Sequence, residues 1–386
     1  MKKALIFCGH RVPTAEPNAI RLINFALMLK QLGYETTLYG VYNDDEVQGE
    51  ERGISFVQWS QTPGHGIVPH QKRKEEFYNH VKNAVESTSD VSLIISAMNN
   101  TVAKAHSYLR KYAQDHGILF IQSLVEWYEL AQLGGIKRLH RYIHCEYLMR
   151  VEYVRSKNII SISSYMADYY KKRGCRTIVI PTMVDMREYE NVTHTKNERI
   201  TIVYAGSPRR KDCIVNAIFA LEKLSEAERN RIQFHIFGAS EKDLLDVGLT
   251  EKIIVTLSDS FVVHGRIPYA EVKQYVANAD YTILLRHNTV NANAGFSTKV
   301  GESMACGTPV ICNITSDLSL YVKDGDTGIV CDDETVDSCA MAYRRILSMN
   351  ENQYVKMRSN AKAVAETGFN LNTYVTLLGN LIEGTV

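Results

Sequence analysis

Short apolar runs alternate with amphipathic stretches along the first half of the chain. Apolar runs bounded by turn residues predict buried strands, and apolar residues three and four positions apart predict helices. The predicted strands are 5–8, 36–39, 93–95, 118–121, 158–162 and 177–180, and the predicted helices are 18–32, 102–112, 136–156 and 164–173. Repeated strand–helix–strand units imply a parallel sheet with helices on both faces.

The stretch 60–74 departs from this alternation. It contains Pro63, Gly64, Gly66 and Pro69, so we expect a long loop there and a helix that follows it to about residue 86. Long loops in compact domains tend to be functional or mobile.

A polar stretch at 181–198 lacks clean periodicity, so we place a linker between two domains there. The alternation then restarts. Strands are predicted at 200–204, 232–237, 261–264, 281–285 and 328–331, and helices at 212–224 and 269–279, with further helices filling most of the remainder. Two open α/β units joined by one linker predict a ligand cleft at the carboxyl ends of both sheets.

Composition and charge narrow the class of protein. The chain has 44 Lys and Arg against 43 Asp and Glu, so no overall field attracts nucleic acid. The apolar run after Met1 is too short for a signal peptide, and no run is long enough to span a membrane. The eight cysteines are irregularly spaced, as in proteins of a reducing cytoplasm. We therefore expect a cytoplasmic protein without disulfides or a zinc site.

The stretch 293–311 predicts a loop at 293–298, a short helix and a buried strand. Gly295 allows a ligand to approach the backbone closely, and Ser297 or Thr298 can cap the helix. Free amides at the start of a helix favour an anion.

Two charged residues follow on that helix. Lys299 adds a mobile positive charge, and Glu302 lies one turn further along the same face. This combination suits a nucleotide diphosphate, with phosphates on the amides and Lys299 and ribose hydroxyls on Glu302. The alternative is an ordinary loop–helix–strand unit with a solvated Lys–Glu pair.

Other strand ends of the second unit also carry cations. Arg209, Arg210 and Lys211 follow Gly206 directly after a predicted strand, which is typical of a phosphate site and lacks the Walker pattern of an ATPase. Arg266 and Arg286 follow two further strands. The alternative for the first group is a solvated basic turn.

The first unit offers weaker signals. Residues 9–11 follow the first strand without a Gly-x-Gly-x-x-Gly pattern, which argues against a nicotinamide or flavin dinucleotide. Glu126 and Trp127 could hold a sugar, or could be a solvated carboxylate and an interface aromatic. The helix at 136–157 interleaves basic and apolar residues. It could touch an anionic membrane surface, or simply present a basic face to solvent.

Residues 296–311 resemble the signature of glycosyltransferase family 4, the retaining nucleotide-sugar glycosyltransferases of GT-B fold. Residues 204–212, 264–266 and 284–286 are similar to the family's phosphate-binding turn and later strand ends. Residues 126–128 and 160–165 are similar to bacterial members that build surface polysaccharides.

The resemblance implies an α/β fold with two Rossmann-like parallel-sheet domains facing a central cleft. Residues 1–185 would form the acceptor-side domain and residues 186–368 the nucleotide-sugar donor domain. Residues 369–386 would form a C-terminal helix that packs back on the first domain.

The resemblance also implies catalytic roles. Arg209 or Arg210, together with Lys211, would stabilise the leaving diphosphate, and Glu302 would hold the ribose. Ala294 stands where the family has its first motif Glu, so the backbone of residues 295–298 would do that work instead. Gly206 stands where the family usually has an Arg, which leaves the choice between Arg209 and Arg210 open.

The binding residues that the resemblance implies fall into two sets. The donor set is Gly9, Gly206, Ser207, Arg210, Arg266, Arg286, Gly295, Phe296, Ser297, Thr298 and Lys299. The acceptor set is His10, Arg11, Glu126 and Trp127. No metal or cofactor is expected besides a UDP- or GDP-linked sugar as co-substrate, and a phosphate oxygen of the donor would take the acceptor's proton.

The expected function is retaining, metal-independent transfer of a sugar to a glycan or lipid-linked acceptor. The expected setting is surface polysaccharide synthesis, such as that of capsule or lipopolysaccharide. The expected location is the cytoplasm, with peripheral contact between the protein and the inner membrane surface. The alternatives are a GT-B-fold binding or scaffold subunit without turnover, which Ala294 makes conceivable, and a nucleotide-sugar epimerase.

Overall fold

The structure, a computed structural model, describes residues 2–13, 17–42, 46–63, 67–98, 103–134, 138–195, 197–208 and 211–386. It divides into two compact units. The first consists of Met1–Met183 together with Leu371–Val386, and the second of Val184–Asn370. The sequence placed these boundaries after residues 185 and 368.

The sheet of the first unit has eight strands in the order β3-β4-β2-β1-β5-β6-β7-β8. They are β1 Lys2–Cys8, β2 Tyr34–Tyr42, β3 Val47–Glu51, β4 Ile54–Ser60, β5 Val91–Ala97, β6 Leu119–Leu124, β7 Asn158–Ser161 and β8 Arg176–Val179. All neighbouring strands are parallel except β3 and β4, which form an antiparallel edge pair. The sequence did not predict this pair. β3 is exposed throughout and shows no apolar alternation, whereas β4 carries Ile54, Phe56 and Trp59, a signal that the prediction missed.

Helices cover both faces of this sheet. They are α1 Pro17–Gln31, α2 Ile67–Ser87, α3 Ala103–Asp115, α4 Arg138–Tyr147, α5 Tyr153–Arg155 and α6 Ser164–Lys171, with a π-helical turn at Leu148–Glu152 between α4 and α5. The loop predicted at 60–74 is wrong from residue 67 onward, because α2 begins there. Pro69 lies in its first turn, where a helix needs no backbone N–H from that residue.

Alternate residues of β1 show how the first unit is packed. Ala4, Ile6 and Cys8 join one buried cluster with α1, whereas Leu5 and Phe7 join another beneath α2 and α3. A strand that is apolar on both faces is typical of a parallel sheet enclosed by helices.

The second unit has a six-stranded parallel sheet in the order β11-β10-β9-β12-β13-β14. The strands are β9 Ile200–Ala205, β10 Ile232–Phe237, β11 Phe261–Gly265, β12 Tyr281–Leu284, β13 Val310–Asn313 and β14 Gly328–Cys331. The chain adds β10 and β11 on one side of β9 and then crosses to add β12 on the other. The order therefore reverses beside β9, and such a switch point opens a ligand crevice at the carboxyl ends of the strands.

The helices of the second unit are α7 Ile214–Glu222, α8 Glu226–Arg229, α9 Glu241–Asp246, α10 Glu251–Thr256, α11 Tyr269–Asn278, α12 Val290–Ala294, α13 Thr298–Ala305, α14 Leu318–Tyr321, α15 Val336–Ser348 and α16 Glu351–Gly368. The loop predicted at 293–298 is wrong at its first two positions, which close α12, and at its last, where α13 begins. The cap that starts α12 is Thr289, whose hydroxyl accepts from the Ala292 amide.

The last helix, α17 Val375–Glu383, belongs to the first unit. Leu378 and Leu381 are fully buried there in the cluster that contains α1. All eight cysteines of the chain lie within the described residues, are buried and form no disulfide bond. Within the described residues, no helix is both long enough and apolar enough to cross a bilayer.

Candidate functional site

Three neighbouring strands of the second sheet end in glycine. Gly206, Gly238 and Gly265 follow or close β9, β10 and β11, and all have positive φ, at +150°, +84° and +71°. The Gly206 amide donates to the Phe237 carbonyl at 2.9 Å, and the Gly238 amide donates to the Gly265 carbonyl at 2.7 Å. A Cβ on Gly238 would lie 2.9 Å from the Gly206 carbonyl carbon. This edge is therefore bare backbone that only glycine permits.

Lys299 lies directly against this edge. A Cβ on Gly206 would be 2.5 Å from Lys299 Cε. Lys299 Nζ donates to Asp212 Oδ2 at 2.7 Å and to the Tyr204 hydroxyl at 3.2 Å, and its side chain is only 21% exposed. The sequence predicted a mobile charge at Lys299. The structure instead holds this charge in a fixed place.

Asp212 joins two cations at the strand ends. Its Oδ1 accepts from Arg286 Nε at 2.8 Å, and its Oδ2 accepts from the Tyr204 hydroxyl at 2.9 Å as well as from Lys299. Burial alone would raise the pKa of Asp212, but the positive charges of Lys299 and Arg286 outweigh it and hold that pKa below its ordinary value. One carboxylate against two cations leaves this cluster positive.

The positive potential is also visible at Lys299. Burial lowers the pKa of Lys299, and the charges of Arg286 and Lys211 lower it further, while Asp212 opposes them. The positive charge of Lys211 therefore lies close enough to Lys299 to lower its pKa. A cluster of this sign beside bare glycine backbone suits a phosphate or diphosphate group.

Arg286 was predicted to bind a ligand. In the structure it instead holds Asp212, which in turn holds Lys299. Its Nε faces Asp212, and its side chain is 8% exposed. Its backbone amide donates to Asn313 Oδ1 and its carbonyl accepts from Asn313 Nδ2, both at 2.8 Å. Asp212 and Asn313 were not predicted as site residues. Each is a polar residue next to an apolar run, and that position is the sequence signal that could have identified them.

The start of α13 is open at the same edge. Ser297 occupies the N-cap position, but its side chain makes no capping hydrogen bond, contrary to one of the two caps expected. The Phe296 ring is buried and packs 5.5 Å from the Tyr321 ring and 5.8 Å from the Phe369 ring. Phe296 therefore anchors the loop, and only its backbone is left for a ligand. Gly295 closes α12 by donating its amide to the Asn291 carbonyl.

Glu302 lies one turn further along α13. Burial raises the pKa of Glu302 to about 7, although a hydrogen bond from Tyr269 and the charges of Lys299 and Lys273 oppose this rise. A carboxyl group with this pKa can both accept from and donate to hydroxyl groups near neutral pH. Tyr269, at the start of α11, was not among the predicted residues.

The remaining predicted donor residues are more dispersed. The Ser207 hydroxyl donates to the Gly238 carbonyl at 3.3 Å, so it lies at the glycine edge. Arg266 is exposed just beyond Gly265, and its charge acts on Asp243. Arg209 and Arg210 lie outside the described residues.

The first unit has a pocket of about 130 Å³ at the carboxyl ends of β1, β5 and β6. Its lining residues are His10, Asn18, Arg21, Leu22, Ala97, Met98, Ser123, Leu124, Val125, Glu126, Tyr128, Met149 and Tyr153. His10 and Glu126, two of the residues predicted to bind the acceptor, are therefore brought together, whereas Gly9, Arg11 and Trp127 are not among these lining residues. Trp127 is buried, and its Nε1 donates to Glu146 Oε1 at 2.7 Å.

Arg21 is the charged residue that sequence reasoning missed in this pocket. Its guanidinium is 4% exposed and donates to the carbonyls of Ile180 and Pro181. Burial lowers the pKa of Arg21 to about 9, and within the described chain its buried Nε has no hydrogen-bond partner. A pocket with this guanidinium and the Glu126 carboxylate, which accepts from the Tyr128 hydroxyl, can bind a polyhydroxylated molecule.

Among the described residues, no group of three or more His, Cys, Asp or Glu side chains is placed to hold a metal ion.

Comparison with protein families gives a clear match for the second unit. Residues 185–364 match the family model described as Glycosyl transferases group 1. This range contains the glycine edge, the Asp212 cluster and Glu302, so the match covers the site described above.

Two curated relatives agree with this match. The chain is 26% identical over 212 residues to the GDP-Man:Man(3)GlcNAc(2)-PP-Dol alpha-1,2-mannosyltransferase of Xenopus laevis. It is 24% identical over 201 residues to a D-inositol 3-phosphate glycosyltransferase of Geodermatophilus obscurus. The alignments cover 52% and 48% of this chain and 42% and 43% of the relatives. The chain thus spans less than half the length of the curated relatives it matches.

Solved structures are similar over the whole chain. Sucrose-phosphate synthase from Thermosynechococcus elongatus has a TM-score of 0.75 at 16% identity, covering 100% of this chain and 99% of that one. HepE from Anabaena, solved in complex with UDP and glucose, has a TM-score of 0.71 at 14% identity and covers 100% of both chains. These likenesses confirm the predicted fold class, two Rossmann-like parallel-sheet α/β domains of the GT-B type.

Proposed function

We propose that this chain is a glycosyltransferase that moves a sugar from a nucleotide-diphosphate-sugar donor to a glycan or lipid-linked acceptor. The observation that carries the proposal is the cluster of Lys299, Asp212 and Arg286 against the Gly206 backbone, inside the region that matches the glycosyl transferases group 1 model.

The donor diphosphate would lie at the glycine edge. There it meets the start of α13, the fixed ammonium of Lys299 and the nearby charge of Lys211. Arg209 and Arg210, which directly precede Lys211 in the sequence, would add charge as the diphosphate leaves. Cations held in place before the reaction stabilise the developing charge without reorganisation in the transition state.

Glu302 would receive the ribose hydroxyls. Tyr269 donates to the Glu302 carboxylate, and burial keeps the pKa of Glu302 near 7. Hydrogen bonds from the ribose hydroxyls would replace those that the buried carboxylate has lost to water, and would so stabilise its ionised form. UDP and GDP both remain candidates for the nucleotide, since one relative is named for GDP-mannose and one similar structure contains UDP.

Retention without a protein nucleophile is the mechanism that we favour. Asp212 accepts from Lys299, Arg286 and Tyr204 and is thus already engaged, which makes it a poor nucleophile. The acceptor hydroxyl would attack the anomeric carbon on the face that the diphosphate leaves. The bond from that carbon to the phosphate oxygen breaks, and a phosphate oxygen takes the hydroxyl proton. This scheme requires no metal ion.

The pocket that contains His10, Arg21 and Glu126 is the proposed acceptor site. A lipid-linked glycan is the acceptor class we favour, because a relative's name includes a dolichyl-diphosphate glycan. Surface polysaccharide synthesis remains our proposal for the setting, and it rests on the resemblance at residues 126–128 and 160–165.

The test begins with thermal shifts of the purified chain against a panel of UDP- and GDP-sugars. Ligand at about one hundred times its dissociation constant stabilises a protein by roughly 2.7 kcal/mol. Transfer to a lipid-linked acceptor is then assayed, and the anomeric configuration of the product is read by NMR.

Three variants make this assay specific. Lys211→Ala should lower transfer at least 100-fold, as removal of one electrostatic stabiliser does. Glu302→Gln should lower transfer by weakening donor binding, which appears as a higher KM for the nucleotide sugar. The exposed Lys252→Ala should match the wild type. Donor binding with no transfer to any acceptor would favour the scaffold alternative. Conversion of the donor sugar without an acceptor would favour the epimerase.

A further inference from the structure

A chain of two tyrosine hydroxyls lies behind the Glu302 carboxyl. Tyr269, the first residue of α11, donates to that carboxyl, and Tyr189 is hydrogen-bonded to Tyr269 in turn. Tyr189 is only 3% exposed and closes the short 3₁₀-helix Met186–Tyr189 near the start of the second unit. The sequence predicted neither tyrosine as a site residue.

The direction of this chain follows from the single proton on each hydroxyl. An ionised carboxylate can only accept, so the Tyr269 proton is directed at Glu302. The Tyr269 oxygen then acts as the acceptor, and the Tyr189 hydroxyl donates to it. Burial raises the pKa of Tyr189 and of Tyr269, and the charge of Glu302 adds to both rises. Both hydroxyls therefore keep their protons at neutral pH.

Lys273 fixes the outer end of the chain. It lies one turn after Tyr269 on α11, on the same face of that helix. Its ammonium is 3.7 Å from the centre of the Tyr189 ring, donates to the Glu188 carbonyl and lies 3.8 Å from the Glu188 carboxylate. The Tyr189 ring is therefore held between this ammonium and the Tyr269 hydroxyl.

Other titratable groups also face Glu302. Against the raising effect of burial, Lys299 and Lys273 lower the pKa of Glu302, whereas Glu188 raises it. Cys306, one turn further along α13, has its pKa raised by burial to about 12, and the groups of α16 that act on this thiol are Arg358 and Lys362. All of these groups are present in every tyrosine variant described below, so a difference between those variants belongs to the hydroxyl that is removed.

We propose that Tyr189 is a positioning residue for Glu302, and that through Tyr269 it holds the Glu302 carboxyl ionised and oriented for the ribose of the donor. Hydroxyls in a chain polarise one another, so a Tyr269 that accepts from Tyr189 is the stronger donor to Glu302. A hydrogen bond to the charged form of a carboxyl group favours that form. The inference rests on the proposed function in one respect, namely that Glu302 receives the ribose hydroxyls.

The test is calorimetry of UDP and GDP binding from about pH 6 to about pH 9, on either side of the Glu302 pKa of about 7. At pH 6, Tyr269→Phe should lower the affinity about 5-fold or more, and Tyr189→Phe about 3-fold. At pH 9, Tyr189→Phe should bind as tightly as the wild type, because Glu302 is then ionised in both proteins. An equal loss at every pH would show a merely structural role and overturn the proposal, as would unchanged binding at pH 6.

Double variants separate an effect through Tyr269 from a direct one. Tyr189→Phe should change nothing further when Tyr269→Phe or Glu302→Gln is already present, because the chain is then broken. An additive loss in either double variant would contradict the proposal. Tyr275→Phe, at a 42% exposed tyrosine of the same helix, is the matched control and should bind as the wild type does at every pH.

A measurement without ligand keeps this proposal separate from the proposed function. The titration of Glu302 can be followed by infrared spectroscopy, as the difference between the wild type and Glu302→Gln. Tyr189→Phe should move its midpoint upward by about half a pH unit. Nucleotide binding by the wild type without this movement refutes the positioning role alone. The movement without any nucleotide binding refutes the proposed function alone.

Discussion

At the scale of single residues, the second unit contains two buried carboxyl groups whose pKa values are shifted in opposite directions. Asp212 is ionised because two cations and a hydroxyl surround it. Glu302, on the next turn of α13 from Lys299, has its pKa raised to about 7 because burial outweighs its favourable neighbours. The first carboxylate organises cations, and the second is left responsive to a ligand and to pH.

Glu302 should make nucleotide binding depend on pH. Its ionised fraction rises between pH 6 and pH 8, and the ionised form is the better acceptor for ribose hydroxyls. We expect UDP or GDP to bind several-fold more tightly at pH 8 than at pH 6, as measured by calorimetry.

The Glu302→Gln variant is the control for this prediction. The phosphates of the nucleotide titrate equally in both proteins, so the difference between the two pH profiles belongs to Glu302. Profiles that run parallel would show that Glu302 does not contact the nucleotide.

At the scale of elements, the ends of β9 and β10 lie against each other because Gly206 and Gly238 carry no Cβ, and the Gly238 amide joins them to the end of β11. Gly206 allows Lys299 to lie across it, and Gly238 allows its own strand end to lie against Gly206. The helix α13 then contributes both its open first turn and Lys299. The site thus depends on close contact between the end of β9, the end of β10 and the first turn of α13.

The Gly206→Ala substitution should disrupt this meeting point. The new Cβ would lie 2.5 Å from Lys299 Cε, and φ of +150° is unfavourable for alanine. We expect the affinity for a nucleoside diphosphate to fall about 10-fold or more while the chain still folds, because Lys299 must leave Asp212 or the turn must shift.

Gly248→Ala provides a matched control. Gly248 also has a positive φ, +111°, but a Cβ there would meet nothing within 4 Å. Both variants should lose about 1 kcal/mol or more of folding stability from backbone strain. Only Gly206→Ala should lose affinity, and equal affinities in the two variants would contradict the assigned role of the glycine edge.

At the scale of the whole molecule, the chain leaves the first unit at residue 183 and returns to it at residue 371. Helix α17 completes the core of the first unit, with Leu378 and Leu381 at 0% exposure beside residues of α1. The stability of the first unit therefore depends on the last residues of the chain.

Leu381→Ala should test this dependence. Removing a fully buried leucine side chain costs about 2–5 kcal/mol, through lost transfer free energy and the cavity left behind. We expect that loss in urea unfolding, with the nucleotide-sugar thermal shift of the second unit preserved. The exposed Thr376→Ala on the same helix should leave both unchanged. A loss of donor binding in Leu381→Ala would contradict the assignment of α17 to the first unit.

Local chemistry along the chain specifies most of the fold. Buried strands of parallel sheets are continuous apolar runs, and helices repeat every three to four residues, so the alternation and the linker could be recognised from the sequence. The exceptions have physical reasons. The polar edge strand β3 has no apolar signal, and Pro69 is compatible with the first turn of α2 although it resembles a loop residue.

The candidate site divides in the same way. The sequence by itself determined that Gly206, Lys211, Lys299 and Glu302 follow strands or open helices, because these positions depend only on neighbours along the chain. Only the tertiary structure decided how they are used. The pairing of Asp212 with Lys299, 87 residues away, and with Arg286, 74 residues away, depends on which strand ends become neighbours. Sheet order is set by packing between distant segments, and no local pattern specifies it.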